Sequence, residues 1–397
     1  MIKNILYNTN SPSKTTAEKL LALDLLRGVT AFAVFMGHLR TLYFMDYSSI
    51  KGDKTAQIFF FLTGFGHQSV IIFFVLSGFF IAKTIQTSIE LNKWRFKDYC
   101  INRVVRLETV LIPALILGFY FDTIGLHFFA QAESYAGKIP ALPYMSPVGK
   151  LDLETFFGNI LFFQNIIADT FGSNAPLWSL ANEFWYYMLF PLLYFSVINK
   201  KYSLTKRLIY VLIAVGIVVF IGKMIALYFL IWLIGAIVFY SYAQYGKQII
   251  SNSFYFKIGL SITALLLLTV LIFTRLNLFD TFFNDYSLGF TTGLFVLYLS
   301  LCDIKNAYLQ RLATYLSNIS YTLYVTHIPI AMLLCSLLSI NRQDWNYWNL
   351  GTFFLLALVL VLYCTLSWYL FERNTPIVKK WVKNSLNTLV KSSKTVF

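Results

Sequence analysis

Acidic side chains are scarce in this chain. Asp and Glu number 18 of 397 residues, against 32 Lys and Arg, and the charged fraction is only 13% beside a hydrophobic fraction of 58%. A soluble domain of this length needs far more charge, so that class is excluded. Cysteine is sparse as well. Cys100, Cys302, Cys335 and Cys364 lie far apart, with neither the spacing of a metal site nor a disulfide framework, which predicts reduced structural thiols and no metal. A glycine-rich phosphate loop, zinc-type histidine spacing and a nucleophile elbow are all missing from the sequence. Sustained apolar–polar alternation is missing too, which argues against a membrane barrel.

What the chain has in quantity is long apolar runs. They predict an all-α polytopic membrane protein, a bundle of about ten transmembrane helices over 20–43, 67–86, 108–126, 177–198, 208–223, 225–243, 256–274, 286–303, 314–338 and 350–371. Residues 1–19 are polar and carry no cleavable leader pattern, so the first span is expected to be a retained anchor. With the N-terminus in the cytoplasm, one set of connections gathers Lys3, Lys14, Lys19, Lys93, Arg95, Lys97, Arg103, Arg106, Lys200, Lys201, Lys206 and Arg207, and the C-terminal lysines. The opposite set holds most of the acids, including Asp46, Asp53, Glu133, Asp152, Asp280 and Asp285, with fewer cations such as Arg40, Lys51 and Arg342. This asymmetry predicts both termini inside and an even span count. It also accounts for the net charge of +14 without a nucleic-acid partner; membrane lipids are the expected neighbours. The longest outside segment, 127–176, contains a short apolar stretch at 156–167 that suits a re-entrant or surface helix. The expected organisation is a basic tail at 1–19, a single membrane domain at 20–377 and a basic cytoplasmic tail at 378–397.

Polar residues inside these spans are functional candidates, because a charge in a bilayer costs several kcal/mol unless it is paired or hydrated. The first span, LDLLRGVTAFAVFMGHL, carries Arg27 and His38 eleven residues apart, on one helical face and roughly 16 Å apart along the axis. A boundary arginine and a packing histidine are the competing reading. In span two, FFVLSGFF places Ser77 and Gly78 where small residues let helices approach, so packing competes with a ligand role for Ser77. Arg103 and Arg106, at i and i+3 where a span begins, present two guanidinium forks suited to phosphates, or to anionic lipid head groups. Glu183 sits in the aromatic-rich stretch NAPLWSLANEFWYYMLFPL, where Trp178 and Tyr187 suit either an interfacial belt or a sugar platform. Tyr321, Tyr324 and His327 follow at i, i+3 and i+6 on one stripe of LSNISYTLYVTHIP, which predicts a face turned to the bundle interior. His67 and His127 read as surface residues.

These pieces, with Phe371-Glu372-Arg373 and Pro376 at the end of the last span, occur in an order that resembles the acyltransferase 3 family of integral membrane acyltransferases. LDLLRG stands where the family has LDGLRG, Gly37 where an aromatic is common, and Pro113 follows Arg106 by seven residues rather than three. The resemblance implies an acyl-CoA donor, most often acetyl-CoA, used as co-substrate with no tightly bound cofactor. It also implies a hydroxyl acceptor on a glycan such as lipopolysaccharide at the outer face of a bacterial cytoplasmic membrane. On that reading His38 is the general base and Glu183 orients it or the acceptor. Arg27, Arg103, Arg106 and Ser77 serve the donor, and Trp178, Tyr187, Tyr321 and His327 line the acceptor side. A polytopic transporter or flippase is the alternative for the same buried polar residues.

Overall fold

The computed structural model describes residues 20–50, 52–199, 202–278 and 280–395. The tail at 1–19 with Lys3, Lys14 and Lys19, together with Lys51, Lys200 and Lys201, lies outside the described residues. Among the described residues the chain forms helices and two isolated β-bridges, and no strand. In chain order the helices are α1 (Leu21–Tyr43), α2 (Lys54–Leu62), α3 (Gly66–Glu90), α4 (Phe96–Phe129), α5 (Leu153–Ile160), α6 (Leu177–Leu193), α7 (Leu204–Ser251), α8 (Ser253–Arg275), α9 (Thr281–Leu299), α10 (Ala307–Leu338), α11 (Tyr347–Leu370) and α12 (Thr375–Thr395). Runs this apolar take helical form because a helix satisfies every interior backbone group by itself, which a bilayer demands. Their starts are written in short polar residues. Asp53, Asp152, Asn252, Asp280 and Asn346 accept hydrogen bonds from the first free N–H groups of α2, α5, α8, α9 and α11. The Thr55 hydroxyl and the Ala56 N–H hold the exposed Asp53 carboxyl below its usual range.

Seven helical stretches among the described residues are long and apolar enough to cross a bilayer. The 48-residue α7 is interrupted at Gly222, whose φ of 78° and ψ of 170° are open to glycine and costly for other residues. Counting its halves separately, and adding α6 with 17 residues and α9 with 19, gives the ten crossings expected from the sequence. Two differences from the expected boundaries bear on the candidate residues and the long loop. α4 has 34 residues, about 51 Å of helix against a hydrocarbon core of about 30 Å. Arg103 and Arg106 therefore lie two to three turns inside a helix that starts at Phe96, not in a loop before it. The short helix of the long loop ends at Ile160 instead of running to 167, because Phe162 (φ 58°) and Asn165 (φ 61°) turn left-handed and fold the chain back onto Gly158.

The helices divide into two compact units. One holds residues 20–30, 67–94 and 223–318. In it α3 meets the second half of α7 with almost no side chain between backbones. A Cβ on Gly78 would strike the Trp232 carbonyl, and one on Gly235 would strike the Val75 carbonyl. Close approach of this kind is how helices associate in lipid. Asp285, expected in an outside loop, lies instead in α9, 2% exposed, and accepts from His67 Nε2 at 2.8 Å and from the Tyr228 hydroxyl at 2.6 Å. His67 is exposed, as expected, and its ring reaches in from the surface to this buried carboxylate.

The other unit holds residues 31–66, 95–222 and 319–395. Arg342 binds three of its connections together, with Nε on Glu133 at 2.9 Å and Nη1 on Asp46 at 2.9 Å and on the Phe44 carbonyl. Burial pulls this guanidinium down, and the two carboxylates more than offset it and hold it above its ordinary value. The expected basic tail is largely helical: α12 packs on α4, and Lys383 pairs with Asp98 at 3.2 Å.

Two substitutions check these contacts. Gly78→Ala should lower the thermal unfolding midpoint of the detergent-solubilised protein by the equivalent of about 1–3 kcal/mol, whereas Gly216→Ala, where a Cβ meets open space, should not lower it. Arg342→Ala, which strands Glu133 and Asp46, should cost about 1–3 kcal/mol in the same measurement.

Candidate functional site

The second unit brings two histidines together. His38 comes from α1 and His327 from α10, 289 positions away in the chain. Their rings lie nearly parallel, 13° apart with centroids at 5.3 Å, and His38 Nδ1 is 3.0 Å from His327 Nε2. His327 is fully buried, and Phe35 closes on it edge-to-face. Its other nitrogen, Nδ1, sits 2.7 Å from the Leu323 carbonyl. A carbonyl oxygen only accepts, so His327 Nδ1 carries the hydrogen and its Nε2, in the neutral ring, is an acceptor. His38 Nδ1 must then donate to that acceptor. The neutral His38 ring is left with its lone pair on Nε2. The half-buried His38 thus holds an unprotonated nitrogen in a fixed tautomer, the arrangement a general base requires.

The stripe that carries His327 fans out over several partners. Steps of three residues fall short of a full helical turn, so each successive side chain is rotated round the axis. Tyr321 donates to the Leu107 carbonyl on α4 at 3.0 Å. Tyr324 donates to the Pro176 carbonyl just before α6 at 3.0 Å and pairs with the Ser179 hydroxyl at 2.7 Å. His327 meets α1. Around α4, α6 and α10 the core is apolar, built from Leu107, Val110, Leu111, Leu177, Leu180 and Val325.

Glu183, expected to orient His38 or the acceptor, accepts from the Tyr187 hydroxyl at 3.0 Å one turn along α6. The Tyr187 carbonyl in turn accepts from Tyr99 of α4 at 3.0 Å. The group hydrogen-bonded to His38 is His327. Trp178 is half-buried in the first turn of α6.

The two arginines of α4 differ. Arg106 Nη2 is 2.5 Å from Glu372 Oε1, and its guanidinium covers the Tyr321 ring at 5.2 Å. The second oxygen of this carboxylate, 6% exposed as a side chain, accepts from the backbone N–H of Thr322 at 3.2 Å and from the Thr322 hydroxyl. Arg106 is therefore part of an internal ion pair that links α4 to α10 and to the turn after α11. Arg103 lies over the Tyr99 ring at 5.7 Å, and among the described residues no carboxylate pairs with it.

The first unit holds the remaining candidates. Arg27 pairs with Asp24 at 3.1 Å one turn below it on α1, and both bond the Ser317 hydroxyl of α10. Its guanidinium lies 5.5 Å from the Phe80 ring. Ser77 accepts from Trp232 Nε1 at 3.1 Å inside the α3–α7 contact, which places it in helix packing.

Sequence reasoning did not pair His38 with His327 or Arg106 with Glu372. A signal for the second pairing was present: Glu372 closes the last of an even number of spans, which puts it at the same end as the α4 arginines. For the first, both histidines fall in the upper half of helices of the same expected direction.

The chain matches a family model described as an acyltransferase domain over residues 20–371, whereas no curated protein and no solved structure matches it. That match takes in both histidines and Arg27, Arg103 and Arg106, and ends one residue short of Glu372: the chain belongs to the acyltransferase 3 family.

Proposed function

We propose that this protein is an acyl-CoA-dependent O-acyltransferase that moves an acyl group, acetyl first among the options, onto a hydroxyl of a glycan, with His38 as general base. The observation that carries the proposal is the hydrogen-bond chain Leu323 carbonyl–His327–His38, which leaves the base nitrogen of His38 unprotonated. In the transfer step His38 Nε2 accepts the proton of the acceptor hydroxyl as its oxygen attacks the thioester carbonyl. The new C–O bond forms, the C–S bond breaks, and the proton passes to the thiolate of CoA. Protons and charge balance, so no other co-reactant is needed. Base catalysis of this kind contributes roughly 10²–10⁴-fold in rate. His327 would hold the tautomer and share the positive charge that develops on His38.

The donor is a polyanion and needs cations. Arg103 is the leading candidate for its phosphates, because the Glu372 carboxylate already engages Arg106. Arg27, held by Asp24 and Ser317, is a further cation for the donor. The bias of Lys and Arg to one set of loops supports a cytoplasmic donor side, with both termini there, and an acceptor presented at the outer face of a bacterial cytoplasmic membrane. Glu183 with Tyr187, together with Trp178, is the set proposed to receive the acceptor. Ser77 is given no direct role.

Purified protein in nanodiscs, supplied with acetyl-CoA and cell-surface glycan, should release CoA and add an acetyl mass to the glycan. His38→Ala should lower turnover by about 10²–10⁴-fold in protein that is still folded, its unfolding midpoint lowered by no more than the loss of one buried hydrogen bond. Near-wild-type acylation by that variant would sink the base assignment. The arginines should separate in the same assay. Arg103→Ala should raise the donor KM by about tenfold or more while leaving stability intact, a loss typical of one charge-assisted phosphate contact. Arg106→Ala should lower the unfolding midpoint as well, since it strands Glu372 in a largely buried position.

A further inference from the structure

Pro329 lies two residues beyond His327 within α10. Proline has no N–H, and its ring crowds the carbonyl four residues back, so the helix cannot satisfy the carbonyl of Val325 in the ordinary way. The substitute comes from elsewhere in the chain. Asn174 Nδ2 donates to the Val325 carbonyl at 2.7 Å, across 151 positions, and Asn174 and Val325 are 2% and 0% exposed. Asn174 is itself pinned. Its N–H donates to the Phe171 carbonyl at 3.2 Å, and its carbonyl accepts from Leu177 at the start of α6 at 3.1 Å. The preceding residue is held in turn, Ser173 N–H donating to the buried Asp122 carboxylate of α4 at 2.8 Å. The turn before α6 is thus a rigid platform, and one amide from it reaches the segment of α10 that bears His327.

We propose that Asn174 is a positioning residue for the histidine pair: its side-chain amide replaces the helical donor that Pro329 removes and so fixes the α10 segment that aims His327 at His38. The proposal rests on the acyl-transfer reading for its effect on rate, and on the hydrogen bond alone for its effect on structure. A displacement of the pair by a fraction of an ångström disturbs the N–H···N bond that sets the His38 tautomer, and misplacement of about 1 Å at a reacting centre can cost about a hundredfold in rate.

The test is a double-mutant cycle on the full chain in nanodiscs, with Asn174→Ala, Pro329→Ala and both together, read by thermal unfolding, by acyl transfer and by its pH–rate profile. Alanine at 329 restores the N–H that Val325 lacks. Asn174→Ala alone should lower the unfolding midpoint, lower turnover by about ten- to a hundredfold at an unchanged donor KM, and displace the acid limb of the pH–rate profile. A mere loss of folded protein would scale that profile without moving it. In the Pro329→Ala background the removal of Asn174 should cost little by either measure. Additive losses in the unfolding cycle overturn the proposal, as does an Asn174→Ala enzyme with wild-type turnover and pH profile. The unfolding cycle reads the contact even where Pro329→Ala itself slows turnover. A wild-type protein that transfers no acyl group from CoA esters overturns the functional reading and the catalytic effect with it, and the unfolding cycle then decides the contact by itself.

Discussion

An imidazole buried in a helical bundle has two nitrogens and one proton to place between them, and which nitrogen keeps the lone pair is decided by neighbours. Here the decision starts at a backbone oxygen. The Leu323 carbonyl fixes the hydrogen on His327 Nδ1, His327 Nε2 thereby becomes an acceptor, and His38 must turn its N–H toward it. Each link permits one arrangement of the neutral rings. The rest of the second unit holds those two rings at bonding distance. Tyr321 and Tyr324 tie α10 to α4 and to the turn before α6, and Asn174 meets the carbonyl that Pro329 leaves over. A bilayer makes such ties necessary, since water is not there to satisfy what the helix does not.

Buried charge follows the same rule. Arg106 has Glu372, Arg342 has Asp46 and Glu133, Arg27 has Asp24, and Asp285 has His67 and Tyr228. The first three are pairs of a permanent cation with a carboxylate; those of Arg106 and Arg342 join helices or turns far apart in sequence, and the Arg27–Asp24 pair, within one turn of α1, reaches α10 through Ser317. Each acts as a staple between elements as much as a functional group. That dual character is why a charged residue inside a span marks a site less sharply than its cost suggests.

The sequence made the crossings legible because apolar runs of this length have one stable form in lipid. It also made His38, Arg27 and Glu183 stand out as polar exceptions. Helix ends were harder to read. The start of α4 is hidden by Lys97, Asp98, Arg103 and Arg106, which read as loop because the helix continues past the depth where lipid demands apolar side chains. Asp285 read as loop for a similar reason: it follows the capping Asp280, and its burial depends on His67 and Tyr228, both distant in the chain. Pairings were the least legible. His38 and His327 are 289 positions apart, and Arg106 and Glu372 are 266 apart, and no local pattern encodes such contacts. Pro329 is the exception: a proline inside a helix announces an unsatisfied carbonyl at a known position, though not which residue will serve it.

The Arg106–Glu372 pair bears on the proposed chemistry in one more way. A cation that already holds a carboxylate binds an incoming phosphate by exchange, and the energy gained is the difference between two anionic partners rather than the whole of one. Such a site grips weakly for its charge. In the proposed reaction this exchange disfavours Arg106 as the contact for the donor's phosphates, whereas Arg103, with no carboxylate to give up among the described residues, gains the whole of such a contact.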